Sequence, residues 1–122
     1  MPTEESTTIA PSRALLDRVA IVTGSGQGIG RGIALCLARA GAHIVIADQV
    51  AERIAPVAAA VEDLGVQALG LTADVSRGEE VQRMVQRTIE RFGKIDILVN
   101  DAGKVVVKPM VEQTRRTGTA WW

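Results

Sequence analysis

The stretch Thr23-Gly24-Ser25-Gly26-Gln27-Gly28-Ile29-Gly30 has the composition and spacing of a phosphate cradle. Five of the twelve glycines fall between Gly24 and Gly32. With no Cβ in the way, the backbone N–H groups of such a loop can approach a diphosphate closely. Gly24 can make the tight turn, Gly28 can admit the phosphates, and Gly30 can let a helix lie close to a sheet. The helix that starts here adds the positive end of its dipole. No Lys-Ser or Lys-Thr pair follows, so this is not a Walker loop. Asp48 is the second candidate. It closes an apolar run where a carboxylate would accept hydrogen bonds from a ribose diol. The same charge would repel a 2′-phosphate, so NAD is expected in preference to NADP. The plainer reading of Asp48 is a loop-starting residue that bonds its own backbone.

No acid–base partner accompanies the cradle. The sequence has no tyrosine, and no serine after Ser76. The single cysteine, Cys36, excludes an intramolecular disulfide and a cysteine-based metal cluster. It reads as a small core residue, and no metal site is expected. His43 stands alone at a strand start and reads as structural or exposed. Glu79, Glu80 and Glu90 read as a solvated helix face with a cap, and Trp121 and Trp122 as an irregular end.

The elements that must position these residues alternate along the chain. The run 19–23 reads as a buried strand, 28–40 as a helix stopped by Gly41, and 44–47 as a second strand. An Ala-rich helix over 51–64 is followed by Gly65, and 66–73 reads as a third strand. Ser76-Arg77-Gly78-Glu79 has capping-box spacing ahead of a helix whose face carries Val81, Met84, Val85, Thr88, Ile89 and Phe92. Gly93 ends that helix, and 95–99 reads as a fourth strand. Continuous apolar strands alternating with helices imply an α/β fold, a parallel sheet covered on both faces. Right-handed crossovers make 3-2-1-4 the expected strand order, the N-terminal half of a Rossmann-like doubly wound sheet. The glycine loop then lies near the point where the order reverses, and the outer edge of strand 4 is left as an unpaired row open to self-association. The expected organisation is a flexible lead-in over 1–14, a dinucleotide-binding half-domain over 15–113 and an irregular tail over 114–122.

Composition bounds the rest. The 122 residues suffice for one modest domain, and 47% apolar content supports a core. Only 2% are aromatic, so aliphatic residues must build that core. Fourteen basic residues balance fourteen acidic ones, which argues against a nucleic-acid or anionic-membrane surface. No apolar run reaches about 18 residues, the length of a transmembrane helix. The acidic, polar start does not resemble a signal peptide, so a cytoplasmic protein is expected.

Thr23-Gly24 through Gly28-Ile29-Gly30, then Asp48, Asp74-Val75, and Phe92-Gly93-Lys94-Ile95-Asp96 leading into Asn100-Asp101-Ala102-Gly103 resemble the short-chain dehydrogenase/reductase family over about 15–113. The resemblance implies that Gly24, Gly28, Ile29 and Gly30, with Thr23, Ser25 and Gln27 of the same loop, hold the cofactor diphosphate. It places Asp74 and Val75 beside the adenine. It makes Asn100, Ala102 and Gly103 the motif that supports the central strand and lines the cleft. Asp101 stands where the family has a second Asn, and an ionised carboxylate cannot donate a hydrogen bond. The family's catalytic Ser and Tyr-x-x-x-Lys have no match here, so no catalytic residue is assigned and no turnover is expected of this chain alone. The expected identity is the NAD-binding portion of such an oxidoreductase, cut short or separated from its catalytic half. A non-catalytic dinucleotide-binding module partnering an intact subunit is the alternative. A methyltransferase is disfavoured by the Asn100–Gly103 motif. From Arg115 onward the sequence departs from the resemblance in a way that a shifted reading frame would explain.

Overall fold

The structure is a computed structural model that describes residues 13–100 and the backbone of 104–107. Residues 1–12 of the expected 1–14 lead-in, Asp101, Ala102 and Gly103, and the 114–122 tail lie outside the described residues. Among the described residues five strands form one sheet: β1 (Val19–Thr23), β2 (His43–Asp48), β3 (Ala68–Thr72), β4 (Ile97–Asn100) and β5 (Lys104–Val107). Their spatial order is β3-β2-β1-β4-β5. β1 pairs in parallel with β2 and β4, and β2 pairs in parallel with β3. The order 3-2-1-4 is thus present, as the apolar runs imply.

β5 is an addition. It pairs antiparallel with β4, Asn100 opposite Lys104 and Ile97 opposite Val107. β4 is therefore flanked on both sides, and the expected open edge on strand 4 does not exist. An antiparallel neighbour needs only a short connection, whereas a parallel one needs a crossover of about a dozen residues or more. The outer backbone groups of β4 are thus paired by the very next stretch of chain.

Among the described residues three helices cover the sheet: α1 (Gly28–Arg39), α2 (Ile54–Glu62) and α3 (Gly78–Phe92), with a 3-10 turn at Ala51–Arg53 leading into α2. Alternation along the strands divides the core. Ala20, Val22, Ile44 and Ile46 face α1 and α2 through Ala34, Ala38, Val57 and Val61. Ile21, Val45, Ala47 and Leu98 face α3 through Val81 and Met84. In α1 the buried positions are Gly30, Ala34 and Ala38, spaced by four and all small, so the helix lies close to the sheet. Cys36 is off that face and exposed, contrary to the core position expected for it.

The segment before β4 ties the sheet together. Asp96 accepts the Val19 N–H on Oδ2 at 2.9 Å and returns its own N–H to the Val19 carbonyl at 2.9 Å. Arg18 and Lys94 flank the same carboxylate at 3.5 and 3.4 Å. At the start of β2 His43 stacks on Phe92 with ring centroids 5.7 Å apart and accepts the Gln67 N–H on Nδ1, a structural use of the lone histidine.

Candidate dinucleotide cleft

The carboxyl ends of β1, β2 and β4 open into one cleft of about 760 Å³. The loop after β1 contributes Thr23, Gly24, Gln27, Gly28 and Ile29, and the end of β2 contributes Asp48, Gln49 and Val50. Arg53, Ala73, Val75 and Asn100 complete the lining. A volume of this order suits a cofactor or drug-sized ligand, for which clefts run roughly 300–1,000 Å³.

Each part of the glycine loop has a separate physical task. Gly28 sits at φ +59°, and a Cβ there would meet nothing within 4 Å, so its α-carbon faces open space. Gly30 is the reverse case: a Cβ would run into the carbonyl oxygen of Gly24, so the bare α-carbon is what brings α1 against the loop. Gln27 at the start of α1 makes no side-chain hydrogen bond to the first turn. The first backbone N–H groups of a helix lack intrahelical partners, which suits them to an anion. Ile29 is 78% exposed and lies on the cleft wall.

Asp48 is 7% exposed and joins β2 to the loop. Its Oδ2 accepts the Gly26 N–H at 2.9 Å and its Oδ1 accepts the Val50 N–H at 2.9 Å. It bonds its own backbone two residues on, as the plainer reading has it, and it also borders the cleft. Thr23 donates its hydroxyl to the Val99 carbonyl at 3.3 Å, tying β1 to β4 beneath the opening.

Three of the expected residues are near the cleft without lining it. Ser25 is buried; its hydroxyl donates to the Val22 carbonyl at 2.7 Å and accepts the Ala47 N–H at 3.2 Å. Gly30 lies behind the loop. Asp74 organises the start of α3 while its neighbour Val75 reaches the cleft. The Asp74 carboxylate accepts the Ser76 hydroxyl at 2.6 Å and the Ser76 N–H at 3.0 Å, and its own N–H donates to Glu80 at 2.8 Å. The hydroxyl and N–H of Ser76 hold the Asp74 carboxyl below its ordinary pKa; desolvation opposes them, and the Arg77 charge adds a lesser lowering. The expected Ser76–Glu79 box does not form. Ser76 donates to the carboxylate two residues earlier, and Glu80 rather than Glu79 reaches back. Among the described residues no group of three or more His, Cys, Asp or Glu is placed to hold a metal ion.

Gln49, Val50 and Ala73 adjoin expected residues and could have been read as lining from that adjacency. Arg53 carries no motif signal and becomes visible only once the turn at Ala51–Arg53 folds back over the loop.

The family model for short chain dehydrogenase matches residues 18–120. The chain belongs to the short-chain dehydrogenase family. The match runs past residue 113, where the motif resemblance stops. Among curated relatives in this family, a hydroxynaphthalene reductase-like protein Arp2 of Metarhizium anisopliae is 43% identical over 105 residues, covering 84% of this chain and 39% of the relative. The short chain dehydrogenase/reductase astE of Aspergillus oryzae is 51% identical over 90 residues, covering 73% of this chain and 34% of that protein. Among solved structures, a hydroxysteroid dehydrogenase from Escherichia coli superposes with a TM-score of 0.71 at 38% identity over 75% of this chain and 37% of that one. An NAD+-bound xylitol dehydrogenase superposes with a TM-score of 0.67 at 37% identity, covering 69% and 32%. The chain thus spans less than half the length of these relatives.

Proposed function

We propose that this chain binds NAD in the cleft at the carboxyl ends of its strands and forms the cofactor-holding portion of an oxidoreductase. Hydride exchange with an alcohol or carbonyl substrate is the chemistry that a bound nicotinamide supplies. The observation that carries the reading is Asp48, a carboxylate on the cleft wall held by the glycine loop through the Gly26 N–H.

The residues present fit a dinucleotide. Gly24, Gln27 and Gly28 with the start of α1 offer backbone donors to a diphosphate. The open space at the Gly28 α-carbon leaves room for close approach. Asp48 holds a fixed acceptor for a ribose diol and disfavours a 2′-phosphate. Val75 and Asn100 supply an apolar wall and an amide farther along the cleft. Ala102 and Gly103 complete the same motif by resemblance. A ligand there would cover the exposed Ile29 side chain.

The chain's own groups bind and orient; none moves a proton. A positioned acid–base group contributes about 10²–10⁴-fold to such reactions, and this sequence holds neither the family's tyrosine nor a serine beyond Ser76. This chain alone is therefore a cofactor binder without turnover. Calorimetric titration with NAD and NADP tests the binding. Equal affinity or tighter NADP binding contradicts the preference, and robust dehydrogenase activity of the purified chain contradicts the assignment of roles.

A further inference from the structure

β3 is an end strand of the described sheet, with β2 on its inner side. The Ile44 N–H donates to the Gln67 carbonyl at 3.0 Å and the Ala73 N–H to the Asp48 carbonyl at 3.0 Å. The peptide groups of Gln67, Leu69, Leu71 and Ala73 therefore point to β2, and alternation turns those of Ala68, Gly70 and Thr72 outward. Beside that edge α3 carries Arg83, Arg87 and Arg91 at spacings of four, one exposed row. Arg83 Nη2 donates to the Thr72 carbonyl at 3.0 Å, and Arg91 Nη2 to Gln67 Oε1 at 3.1 Å. Arg87 stands between them and makes no hydrogen bond or ion pair among the described residues. A hollow of about 300 Å³ separates strand from helix, bordered by Gly70, Thr72, Arg83 and Arg87, with Leu71 and Met84 as its apolar part. We propose that this edge is a docking site for an extended acidic segment of a partner protein, which adds to the sheet beside β3 and places a carboxylate on Arg87.

The backbone of the edge selects a peptide. Gly70 presents both an N–H and a carbonyl to the outside, and Thr72 presents an N–H; a row of donors and acceptors of this kind matches an extended main chain. A bare anion would meet the Gly70 carbonyl as well as its N–H. The helix selects the charge. Same-face residues of an added strand lie about 6.6–6.8 Å apart, and Arg83 and Arg87 are separated by about 6 Å along the helix axis. Acidic residues two apart thus face successive arginines, and each carboxylate can accept two parallel bonds from a guanidinium fork. Glu80 lies 3.8 Å from Arg83 and offsets part of its charge, while Glu90 accepts from Gln86. Arg87 is left as the unmatched cation. Charged side chains also guard sheet edges against unwanted pairing. Arg83 does so by occupying the Thr72 carbonyl, but Arg87 occupies no backbone group, so edge protection does not account for it. A second copy of this chain is disfavoured as the occupant, because pairing β3 with β3 brings two arginine rows together. The hollow shares Ala73 with the dinucleotide cleft, yet none of these three arginines lines that cleft.

The test titrates the peptide fluorescein-Thr-Glu-Val-Glu-Val-Glu-Thr-amide with the full chain and reads fluorescence anisotropy. Saturable binding is expected, with the Gly70 and Thr72 amide protons protected from exchange in the complex. Arg87→Glu should weaken binding about tenfold, from the loss of one charge-assisted contact, and Arg87→Lys should keep part of it. Circular dichroism checks that both variants are folded, and their NAD titrations should match that of the unsubstituted chain. The same peptide methylated at every backbone nitrogen keeps its charge and loses its donors, so it should not bind. Absence of saturable binding by the parent peptide overturns the proposal. So does equal binding of the methylated peptide, which would show that charge alone holds it, or equal binding by Arg87→Glu. Tighter binding of a single-stranded oligonucleotide at the same arginines overturns it in favour of a nucleic acid. Sedimentation in which Arg87→Glu dissolves a dimer of the unsubstituted chain overturns it in favour of a second copy.

Discussion

The Ser25 hydroxyl accepts the Ala47 N–H at 3.2 Å, and the Ser25 N–H returns a bond to the Ala47 carbonyl at 3.2 Å. This reciprocal pair locks the turn after β1 to the end of β2, directly behind the cleft. Ser25→Ala removes the hydroxyl and leaves the buried Ala47 donor without its acceptor. The expected loss of stability is about 1–3 kcal/mol. Denaturant unfolding of the variant checks it, and a midpoint equal to that of the parent chain contradicts it.

Gly28→Ala and Gly30→Ala should separate two reasons for glycine in one loop. At Gly28 the added Cβ finds open space but the backbone holds φ +59°, so the cost is the left-handed strain of roughly 1–2 kcal/mol. At Gly30 the Cβ meets the Gly24 carbonyl, which cannot swing aside as a side chain would. Forcing that contact costs about 1–3 kcal/mol and moves the cradle itself. Nucleotide titration of the folded variants should therefore show Gly30→Ala weakening NAD binding through displacement of the loop, while Gly28→Ala acts at the phosphate approach. Unfolding curves give the stability side of the comparison.

Asp48→Asn keeps one acceptor oxygen for a backbone N–H and removes the charge. NADP binding should improve relative to NAD. One charge pair at about 4 Å is worth about 1–4 kcal/mol between the dielectric of water and that of a protein surface. Titration with the two nucleotides reads the ratio directly. A ratio that stays put would show that the charge does not select the cofactor.

Ser76→Ala should raise the Asp74 pKa. The Ser76 hydroxyl is the largest cause of its depression, ahead of the Ser76 N–H and of Arg77. A carboxyl held below its ordinary value in the folded state stabilises the fold above that value. The contribution is lost as pH falls through the lowered folded value, so the window lies at the acid end. Carboxyl NMR titration of the two proteins checks the direction. An unmoved Asp74 titration would assign the depression to the backbone contact instead.

Much of this arrangement is legible in the sequence because buried parallel strands are nearly continuous apolar runs. Val19–Thr23 and the Ile44–Ala47 stretch admit few other readings, and they fix where the glycine loop and Asp48 come together. Other features depend on facing geometry. Helical periodicity assigns α1 an apolar face that includes Cys36, whereas close approach to the sheet selects Gly30, Ala34 and Ala38 and turns Cys36 outward. Ser76 and Glu79 have the spacing of a cap, yet Asp74 offers a nearer carboxylate and Ser76 donates to it. β5 is a short β-branched run, and nothing in its residue pattern marks the antiparallel pairing with β4. Arg53 has no spacing rule at all; a tight turn after β2 delivers it to the cleft.

The clamp between Val19 and Asp96 gives the chain a timetable during synthesis. The strand made first becomes the middle of the sheet, and the residue that fastens its start is made 77 positions later. At a synthesis rate of about 5–20 residues per second, that interval lasts roughly 4–15 s. β2 can join β1 early, but the other side of β1 waits for β4. A nascent chain stalled before residue 96 therefore presents a strand that is buried along its whole length in the finished fold with one flank unpaired. That flank stays open to chaperones and to aggregation until β4 arrives.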